Sequence, residues 1–192
     1  MKIGYCFTGS FCTFARSLEA LRALVAEGHD VVPIMSENAY YTDTRFQRAE
    51  EFCRDVEELC GKRIIHTVPE AEPLGPRVHL DLLIVAPCTG NTLSKVAQGI
   101  TDTAATMAIK AHLRTDRPTL IALATNDAMS RNLKNLGAML GHKAVYFVPM
   151  LQDDPVSKPH SLVAELEMIP RAAEAALRGE QLRPIFLTRS TY

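Results

Sequence analysis

The sequence predicts an α/β protein: a doubly wound, Rossmann-like three-layer sandwich built around a six-stranded parallel sheet. Short apolar, β-rich runs alternate along the chain with stretches in which apolar residues recur at helical spacing. The run at residues 81–86 (DLLIVA) is almost entirely apolar, which is typical of a parallel strand covered on both faces. Because strands that alternate with helices join through right-handed crossovers, we predict the strand order 3-2-1-4-5-6.

The six predicted strands are short apolar runs bounded by turns or helical segments. They comprise residues 2–7, 30–35, 63–67, 81–86, 118–124 and 144–149. Pro33 lies in the second run and argues against a central position for this strand in the sheet, because proline cannot donate a hydrogen bond to a neighbouring strand.

Helices are predicted between these strands from the spacing of apolar residues. The first begins near Phe14 and is closed by Gly28. The others cover residues 44–60, 91–114 with a break near Gly99, 128–140 and 160–178. Residues 69–79 hold three prolines and are predicted to form a loop.

Length and composition favour one globular domain over residues 1–186, followed by a polar tail at 187–192. The chain has 192 residues, of which 47% are hydrophobic and 22% charged, enough for a sizeable core. A formal charge of −1 argues against a nucleic-acid or membrane-surface partner. The N-terminal sequence MKIGYCFTGS has no signal-peptide pattern, and no apolar run is long enough to span a bilayer. We therefore expect a cytoplasmic protein.

Cysteine and histidine usage argues against disulfides and against a protein-ligated metal. The five cysteines are odd in number and include no C-x-x-C pair, as expected for reduced thiols. The six histidines are scattered singly along the chain.

Polar loops follow the predicted strands at the edge where a doubly wound sheet binds ligands. Residues 7–11 (FTGSF) follow the first strand, and backbone amides there, with the Ser10 hydroxyl, suit a phosphate. The alternative is a plain turn in which Ser10 caps the next helix. The loop lacks G-x-G-x-x-G and the P-loop lysine, which disfavours a standard dinucleotide or triphosphate site.

Three further loops carry small hydroxyl and amide side chains at this edge. Residues 86–93 (APCTGNTL) follow the fourth strand, residues 124–129 (ATNDAM) follow the fifth, and residues 36–38 (SEN) follow the second. The loops at 86–93 and 124–129 could instead cap the helices that follow them, but the polar loops together predict a nucleotide-sized pocket. Cys88 lies in one of these loops, and we interpret it as a packing thiol because no histidine is nearby in the sequence to activate it.

These loops resemble the flavoprotein family of FMN-binding cysteine decarboxylases and flavin prenyltransferases. The family signature P-A-S-A-N-T corresponds to residues 87–92 (PCTGNT), and its T-L-x-K-x-A-x-G-I-x-D continuation to residues 92–102. The resemblance implies FMN as cofactor and a site at a trimer interface, hence a homo-oligomer, either a trimer or a multiple of it. The FMN-binding residues that it implies, with their neighbours, are Gly9, Ser10, Phe11, Ser36, Asn38, Pro87, Cys88, Thr89, Asn91, Thr92, Thr125, Asn126 and Met129.

The chain departs from the family at the positions that carry its known reactions. The decarboxylases have a histidine shortly after the second strand, where this chain has residues 37–42 (ENAYYT). The prenyltransferases have Arg-Glu-Ala-Pro after the fifth strand, where this chain has residues 125–128 (TNDA). No catalytic residue is therefore assigned, and FMN-dependent decarboxylation or prenyl transfer is kept as an alternative.

Longer strings resemble a branch of the family that serves as one component of a two-component oxidoreductase. They are residues 34–46, 125–135 and 146–164. The resemblance implies oxidation of a dihydropyridine dicarboxylate to pyridine-2,6-dicarboxylate in the mother cell of a spore-forming bacterium, with a partner protein that binds a nicotinamide cofactor. A non-catalytic, flavin-binding companion of that partner is a further alternative.

A dicarboxylate substrate would require cations near the flavin ring, since charge-assisted contacts to carboxylates are strong. The candidates are Arg45, Arg131, Lys134, Lys158 and His160. Each has the alternative of being a solvated surface charge.

Overall fold

The fold is an α/β sandwich, as predicted, around a central parallel sheet. The computed structural model describes residues 1–188, so most of the predicted tail at 187–192 lies outside the described residues. The parallel strands are ordered β2-β1-β3-β4-β5. Their bounds are β1 (Lys2–Phe7), β2 (Asp30–Met35), β3 (Leu82–Cys88), β4 (Thr119–Thr125) and β5 (Val145–Phe147).

The prediction of a strand at residues 63–67 is wrong, since this segment forms only an isolated bridge between Ile65 and Ile34. Two backbone hydrogen bonds hold it, from Ile65 N to Pro33 O and from Met35 N to Ile65 O. Pro33 offers no donor to extend the pairing. The chain then turns away at Thr67, which caps a short helix in a capping box with Glu70.

Two antiparallel strands that were not predicted extend the sheet: β6 (Met150–Leu151) and β7 (Leu162–Ala164). The end of β4 pairs with β7 through Ala124–Val163 and Thr125–Leu162, and β7 pairs with β6. The helix predicted from residue 160 therefore starts only at Ile169, after a 3₁₀ turn at Leu166–Met168. The strand order consequently differs slightly from the prediction.

Eight helices lie in the described residues: α1 (Phe14–Ala26), α2 (Glu37–Tyr41), α3 (Ala49–Cys60), α4 (Val68–Ala71), α5 (Gly90–Ala97), α6 (Ala104–Leu113), α7 (Leu133–Leu140) and α8 (Ile169–Leu177). The predicted break near Gly99 is present, and Gly99 has a φ of +73°. The predicted helix at 44–60 begins only at Ala49, and the one at 128–140 begins at Leu133 because turns occupy the residues before it. The predicted loop at 69–79 contains most of α4.

The core has two halves, one on each face of the sheet. Apolar side chains of α1, α3 and α8 pack on one face, and those of α4, α5, α6 and α7 pack on the other. One polar group is built into the first half: the fully buried Tyr5 hydroxyl contacts Ser17 Oγ at 2.9 Å, and Ser17 Oγ donates to Ala86 O at 2.7 Å. This chain of bonds ties α1 to β1 and to the end of β3, directly beneath the predicted site.

The free edge of β5 is closed by a side chain rather than by another strand. The backbone amide of Phe147 donates to Gln181 Oε1 at 2.8 Å, and Gln181 Nε2 donates to Phe147 O at 2.7 Å. The Gln181 amide thus occupies the donor and acceptor positions that a further strand would use.

His112 on α6 is fully buried and is expected to make the fold sensitive to acid. Its Nε2 lies 2.9 Å from Pro118 O, while Nδ1 has no partner within residues 1–188. Burial lowers the pKa of His112 below its ordinary value of 6.5. Between these two pKa values the unfolded chain binds more protons than the folded one, so the free energy of unfolding falls as the pH drops through this range.

Urea unfolding at several pH values between about 8 and about 5 measures this effect. The variant His112→Leu should lose part of the decline that the wild-type protein shows, while the exposed His79→Gln should retain it. An unchanged decline in His112→Leu would show that other groups cause the sensitivity.

No helix within residues 1–188 has both the length and the apolar character needed to span a membrane. In the same part of the chain, no cluster of histidine, cysteine and acidic side chains could hold a metal ion.

Candidate functional site

The loops after β1 and β3 are joined at the carboxyl edge of the sheet by Thr8. The Thr8 hydroxyl donates to Pro87 O at 2.8 Å and accepts from Thr89 N at 2.9 Å, and the side chain is 1% exposed. A third bond runs from Thr8 N to Pro87 O at 3.2 Å. The two loops that sequence analysis singled out are therefore held together as one surface.

The first loop presents unused hydrogen-bond donors. Ser10 precedes the 3₁₀ helix Phe11–Thr13, but its side chain makes no capping hydrogen bond, so the simple capping alternative is not what the structure shows. Within residues 1–188, the backbone amides of Gly9, Phe11 and Cys12 have no acceptor. Amides and a hydroxyl at the start of a helical segment are donors of the type that phosphate oxygens accept.

The hydroxyls of the other loops do form caps. Thr89 Oγ1 accepts from Thr92 N at 3.1 Å and starts α5, and Ser36 Oγ accepts from Ala39 N at 3.3 Å and starts α2. The exposed Asn38 lies beside the first loop, since a β-carbon at Gly9 would be 3.6 Å from Asn38 Cβ.

A cavity of about 560 Å³ opens between these loops, and we call it the phosphate-loop cavity. Six of the predicted cofactor residues line it: Gly9, Ser10, Thr89, Asn91, Thr125 and Asn126. The structure does not bring the other seven to its wall. Pro87, Cys88 and Thr92 are buried beneath it, while Ser36 and Asn38 lie beside it. Phe11 lines a small apolar pocket and Met129 lines a separate cavity near the C-terminal segment.

Two cations face the phosphate-loop cavity, and each is already paired. Arg16 on α1 donates from Nε and Nη2 to the two carboxylate oxygens of Glu167, at 2.9 and 2.7 Å. Lys158 Nζ donates to Asp153 Oδ2 at 3.0 Å. The charge of each cation is therefore largely offset by its carboxylate partner.

The loop after β4 is organised around Asp127. Its carboxylate accepts from Thr125 Oγ1 at 2.6 Å and from Asn132 Nδ2 at 2.9 Å. Asn135 continues the network by donating to Asn132 Oδ1 at 2.9 Å and to Ser94 Oγ at 3.0 Å. Burial alone would raise the pKa of Asp127, but the bonds from Thr125 and Asn132 outweigh it and hold the pKa below its ordinary range. The carboxylate is therefore ionised at neutral pH.

Gly90 at the start of α5 lets this network approach the second loop. A β-carbon there would lie 2.5 Å from Thr125 Oγ1, 2.6 Å from Asn132 Nδ2 and 2.8 Å from Asp127 Oδ1. Only the absence of a side chain leaves room for the three polar atoms.

A second cavity of about 940 Å³ continues from the first, and we call it the α7 cavity. Gly90, Asn91 and Asp127 line both cavities, so the two form one trough. Three of the five predicted substrate cations lie along this trough: Arg131 and Lys134 in the α7 cavity and Lys158 in the phosphate-loop cavity.

The other two predicted cations lie elsewhere. Arg45 lies over the ring of exposed Phe46, 4.8 Å from its centroid. His160 is exposed, and its carbonyl accepts from Met129 N.

Cys88 is 1% exposed, and burial raises the pKa of its thiol to about 12. A thiol in this state is a poor nucleophile at neutral pH. Of the two tyrosines after β2, Tyr40 stacks face to face on His66 at a centroid distance of 3.9 Å, while Tyr41 is largely exposed.

Several residues that build the trough were not singled out in the sequence, among them Thr8, Arg16, Asn132, Asn135 and Asp153. Arg16 follows the apolar Phe14 on a helical surface, a pattern indistinguishable from a solvated charge. Asn132 and Asn135 are buried although their side chains are polar amides. Their spacing of three residues, from the N-cap of α7 to its first turn, was the signal that the sequence offered.

Comparison with known proteins confirms the family resemblance drawn from residues 87–102. The flavoprotein family model matches residues 1–165. The B subunit of dipicolinate synthase from Bacillus subtilis (strain 168) is 40% identical over 186 residues, covering 97% of this chain and 93% of that protein. The crystal structure of the corresponding B subunit from Bacillus halodurans C has a TM-score of 0.90 at 37% identity, covering 98% of this chain and 96% of that one.

A more distant structure shares the fold. The FMN-dependent cysteine decarboxylase SpaF has a TM-score of 0.68 at 18% identity, covering 93% of this chain and 97% of that one.

Proposed function

Because this chain belongs to the flavoprotein family, we propose that it binds FMN in the phosphate-loop cavity and acts as the flavoprotein component of a dipicolinate synthase. The observation that carries the proposal is the set of unused donors in the first loop. The Ser10 hydroxyl and the amides of Gly9, Phe11 and Cys12 have no partner within residues 1–188, and the loop borders the cavity. Such a set fits a phosphate better than it fits a plain turn.

The remaining residues fit the other parts of FMN. Thr89 and Asn91 follow β3 and line the wall next to the first loop, where the ribityl hydroxyls would find polar partners. Thr125 and the exposed amide of Asn126 lie across the cavity at the end of β4, facing the place left for the ring. Ser36, Asn38 and Thr92 support these loops from beside or beneath, and we assign them to shaping the site.

The proposed role is a contribution to the oxidation of dihydrodipicolinate to dipicolinate. FMN, when bound, supplies a two-electron acceptor, and the protein supplies orientation and a shielded site. Both dipicolinate synthase relatives are B subunits by name, which supports a partner protein. We propose that this partner is the nicotinamide-binding A subunit of the same enzyme, in the cytoplasm of a spore-forming cell. We also propose a homo-oligomer, by analogy with the family.

A non-catalytic flavin-binding role is a second candidate, and one observation favours it. Asp127, which lines the trough, and Cys88, which lies beneath it, are not poised for proton transfer. Asp127 is held as a carboxylate by three hydrogen bonds, and Cys88 is buried with a raised pKa. Bleaching of the bound flavin by dihydrodipicolinate, without any partner present, would exclude this second role.

The variant Ser10→Asp tests the FMN site. A carboxylate beside the phosphate should repel it and remove one donor, so we expect the dissociation constant of FMN to rise about a hundredfold or more. Quenching of FMN fluorescence during titration measures the constant, and circular dichroism shows that the fold is kept.

Ala138→Asp is the matched control, since it adds the same charge on an exposed position of α7. It should leave FMN affinity unchanged. A wild-type protein that fails to alter FMN fluorescence or absorption would overturn the proposal, as would equal affinities for wild-type protein and Ser10→Asp.

A further inference from the structure

The α7 cavity is the larger part of the trough and is not needed for the FMN phosphate. It is bounded by the start of α5 on one side and by residues 130–135 on the other. Its volume of about 940 Å³ lies within the range of small-molecule sites. Because Gly90, Asn91 and Asp127 also border the phosphate-loop cavity, a molecule here would lie next to whatever occupies that cavity.

The cations of the α7 cavity have no carboxylate partner among residues 1–188, unlike those of the phosphate-loop cavity. Within residues 1–188, no carboxylate lies within ion-pair distance of Arg131 or Lys134, whereas Arg16 and Lys158 are held by Glu167 and Asp153.

A single carboxylate of the described residues, that of Asp127, lines the α7 cavity, and it is occupied by Thr125 and Asn132. The unpaired cations Arg131 and Lys134 therefore face one engaged carboxylate. The side chains that line the α7 cavity therefore carry a net positive charge.

The beginning of α7 adds donors to the same surface. Asn132 caps the helix without a side-chain capping bond, because its amide is turned towards Asp127 and Asn135. Within residues 1–188, the backbone amides of Lys134 and Asn135 have no acceptor. Free amides at a helix start carry partial positive charge, so they act in the same direction as the two cations.

We propose that the α7 cavity is the subsite for a carboxylate group of the substrate, with Arg131 as its bidentate partner and Lys134 as a second cation. The ligand class is a planar six-membered nitrogen ring bearing carboxylates, whose ring then points towards Gly90 and the phosphate-loop cavity. This inference rests on the proposed function, since it places the ring beside the FMN site. Arginine suits the role because its planar fork matches a carboxylate, while lysine adds a point charge.

The test measures binding of pyridine-2,6-dicarboxylate to the FMN-loaded protein by titration calorimetry. Arg131→Gln should weaken binding about tenfold or more, and Lys134→Gln should weaken it less, in keeping with the loss of a bidentate and of a single charged contact. Pyridine-2-carboxylate should bind more weakly than the dicarboxylate, and uncharged pyridine should not bind measurably.

Lys143→Gln is the matched control, since it removes an exposed positive charge just before β5. This position lies at the amino ends of the parallel strands, whereas the site lies at their carboxyl ends. It should leave the affinity unchanged, and all three variants should bind FMN as the wild-type protein does. Undiminished binding of the dicarboxylate to Arg131→Gln, an equal loss in Lys143→Gln, or no binding to a wild-type protein that does hold FMN would each overturn the subsite. Absence of FMN binding would instead overturn the proposed function, so the two failures are distinguishable.

Discussion

Replacing Gly90 with alanine is expected to lower the free energy of unfolding by about 2–3 kcal/mol, a typical result of forcing an extra carbon into a filled space. The new methyl group would meet Thr125 Oγ1, Asn132 Nδ2 and Asp127 Oδ1, all at less than 3.0 Å. Asp127 Oδ1 accepts a hydrogen bond from each of the other two atoms, so none of the three can withdraw without breaking a bond. Displacement of Thr125 should also weaken FMN binding about tenfold.

Gly137→Ala is the control for this prediction. Gly137 lies inside α7, and a β-carbon there would meet nothing within 4 Å. Alanine has the higher helix propensity, so this variant should be more stable by about 0.5–1 kcal/mol and should bind FMN normally. Urea unfolding followed by circular dichroism measures both changes in stability. A Gly90→Ala protein as stable as the wild type would show that the loop after β4 can move aside at little cost.

The variant Asp127→Asn is expected to lower the free energy of unfolding by about 2 kcal/mol, because it replaces charge-assisted hydrogen bonds with neutral ones and sets two donors against each other. The amide oxygen can take the place of Oδ1, which accepts from Thr125 and Asn132, but the NH₂ group then stands in the place of Oδ2 and faces the buried Asn132 Nδ2. Since Asn132 also holds Asn135, the start of α7 should lose order, and hydrogen exchange of its amides should become faster.

The pH dependence of the same variant gives an independent readout. The pKa of Asp127 in the folded protein lies below its ordinary value of 3.8, so its contribution to stability is present above that value and is lost as the pH falls towards the folded pKa. Asp127→Asn should lack this acid-induced loss. Asp116→Asn, an exposed change at a left-handed position that asparagine tolerates, should leave stability within about 0.5 kcal/mol of the wild type.

The parallel strands were predictable because their signal is local. The apolar run at residues 82–86 has few alternatives to a strand covered on both faces. The segment Leu162–Ala164 was not, because its apolar residues continue with Leu166 and Ile169 at helical spacing. Pairing with the end of β4 decides its structure, and that contact joins residues far apart in the chain.

In the candidate site, too, features with a local sequence signal could be predicted, and features set by contacts distant in the sequence could not. The loops after β1, β3 and β4 could be located, because topology places the carboxyl ends of parallel strands at one edge and their small polar residues are visible in the sequence. The role of Thr8 could not be predicted, since its partners Pro87 and Thr89 are 79 and 81 positions away. The same holds for Asp127: its position suggested a helix cap, but its bond to Asn132 makes it the centre of a network instead.

Because Gln181 closes the β5 edge, that edge stays open for part of the time during which the chain is synthesised. Synthesis runs from the N-terminus, so β5 leaves the ribosome well before residue 181 does, and the edge then has open donors and acceptors. During this interval a neighbouring nascent chain could pair with Phe147 and start an aggregate. The β5 edge remains unpaired until α8 has docked and brought the Gln181 amide into place. The last helix therefore protects the folding chain from aggregation, in addition to forming part of the core.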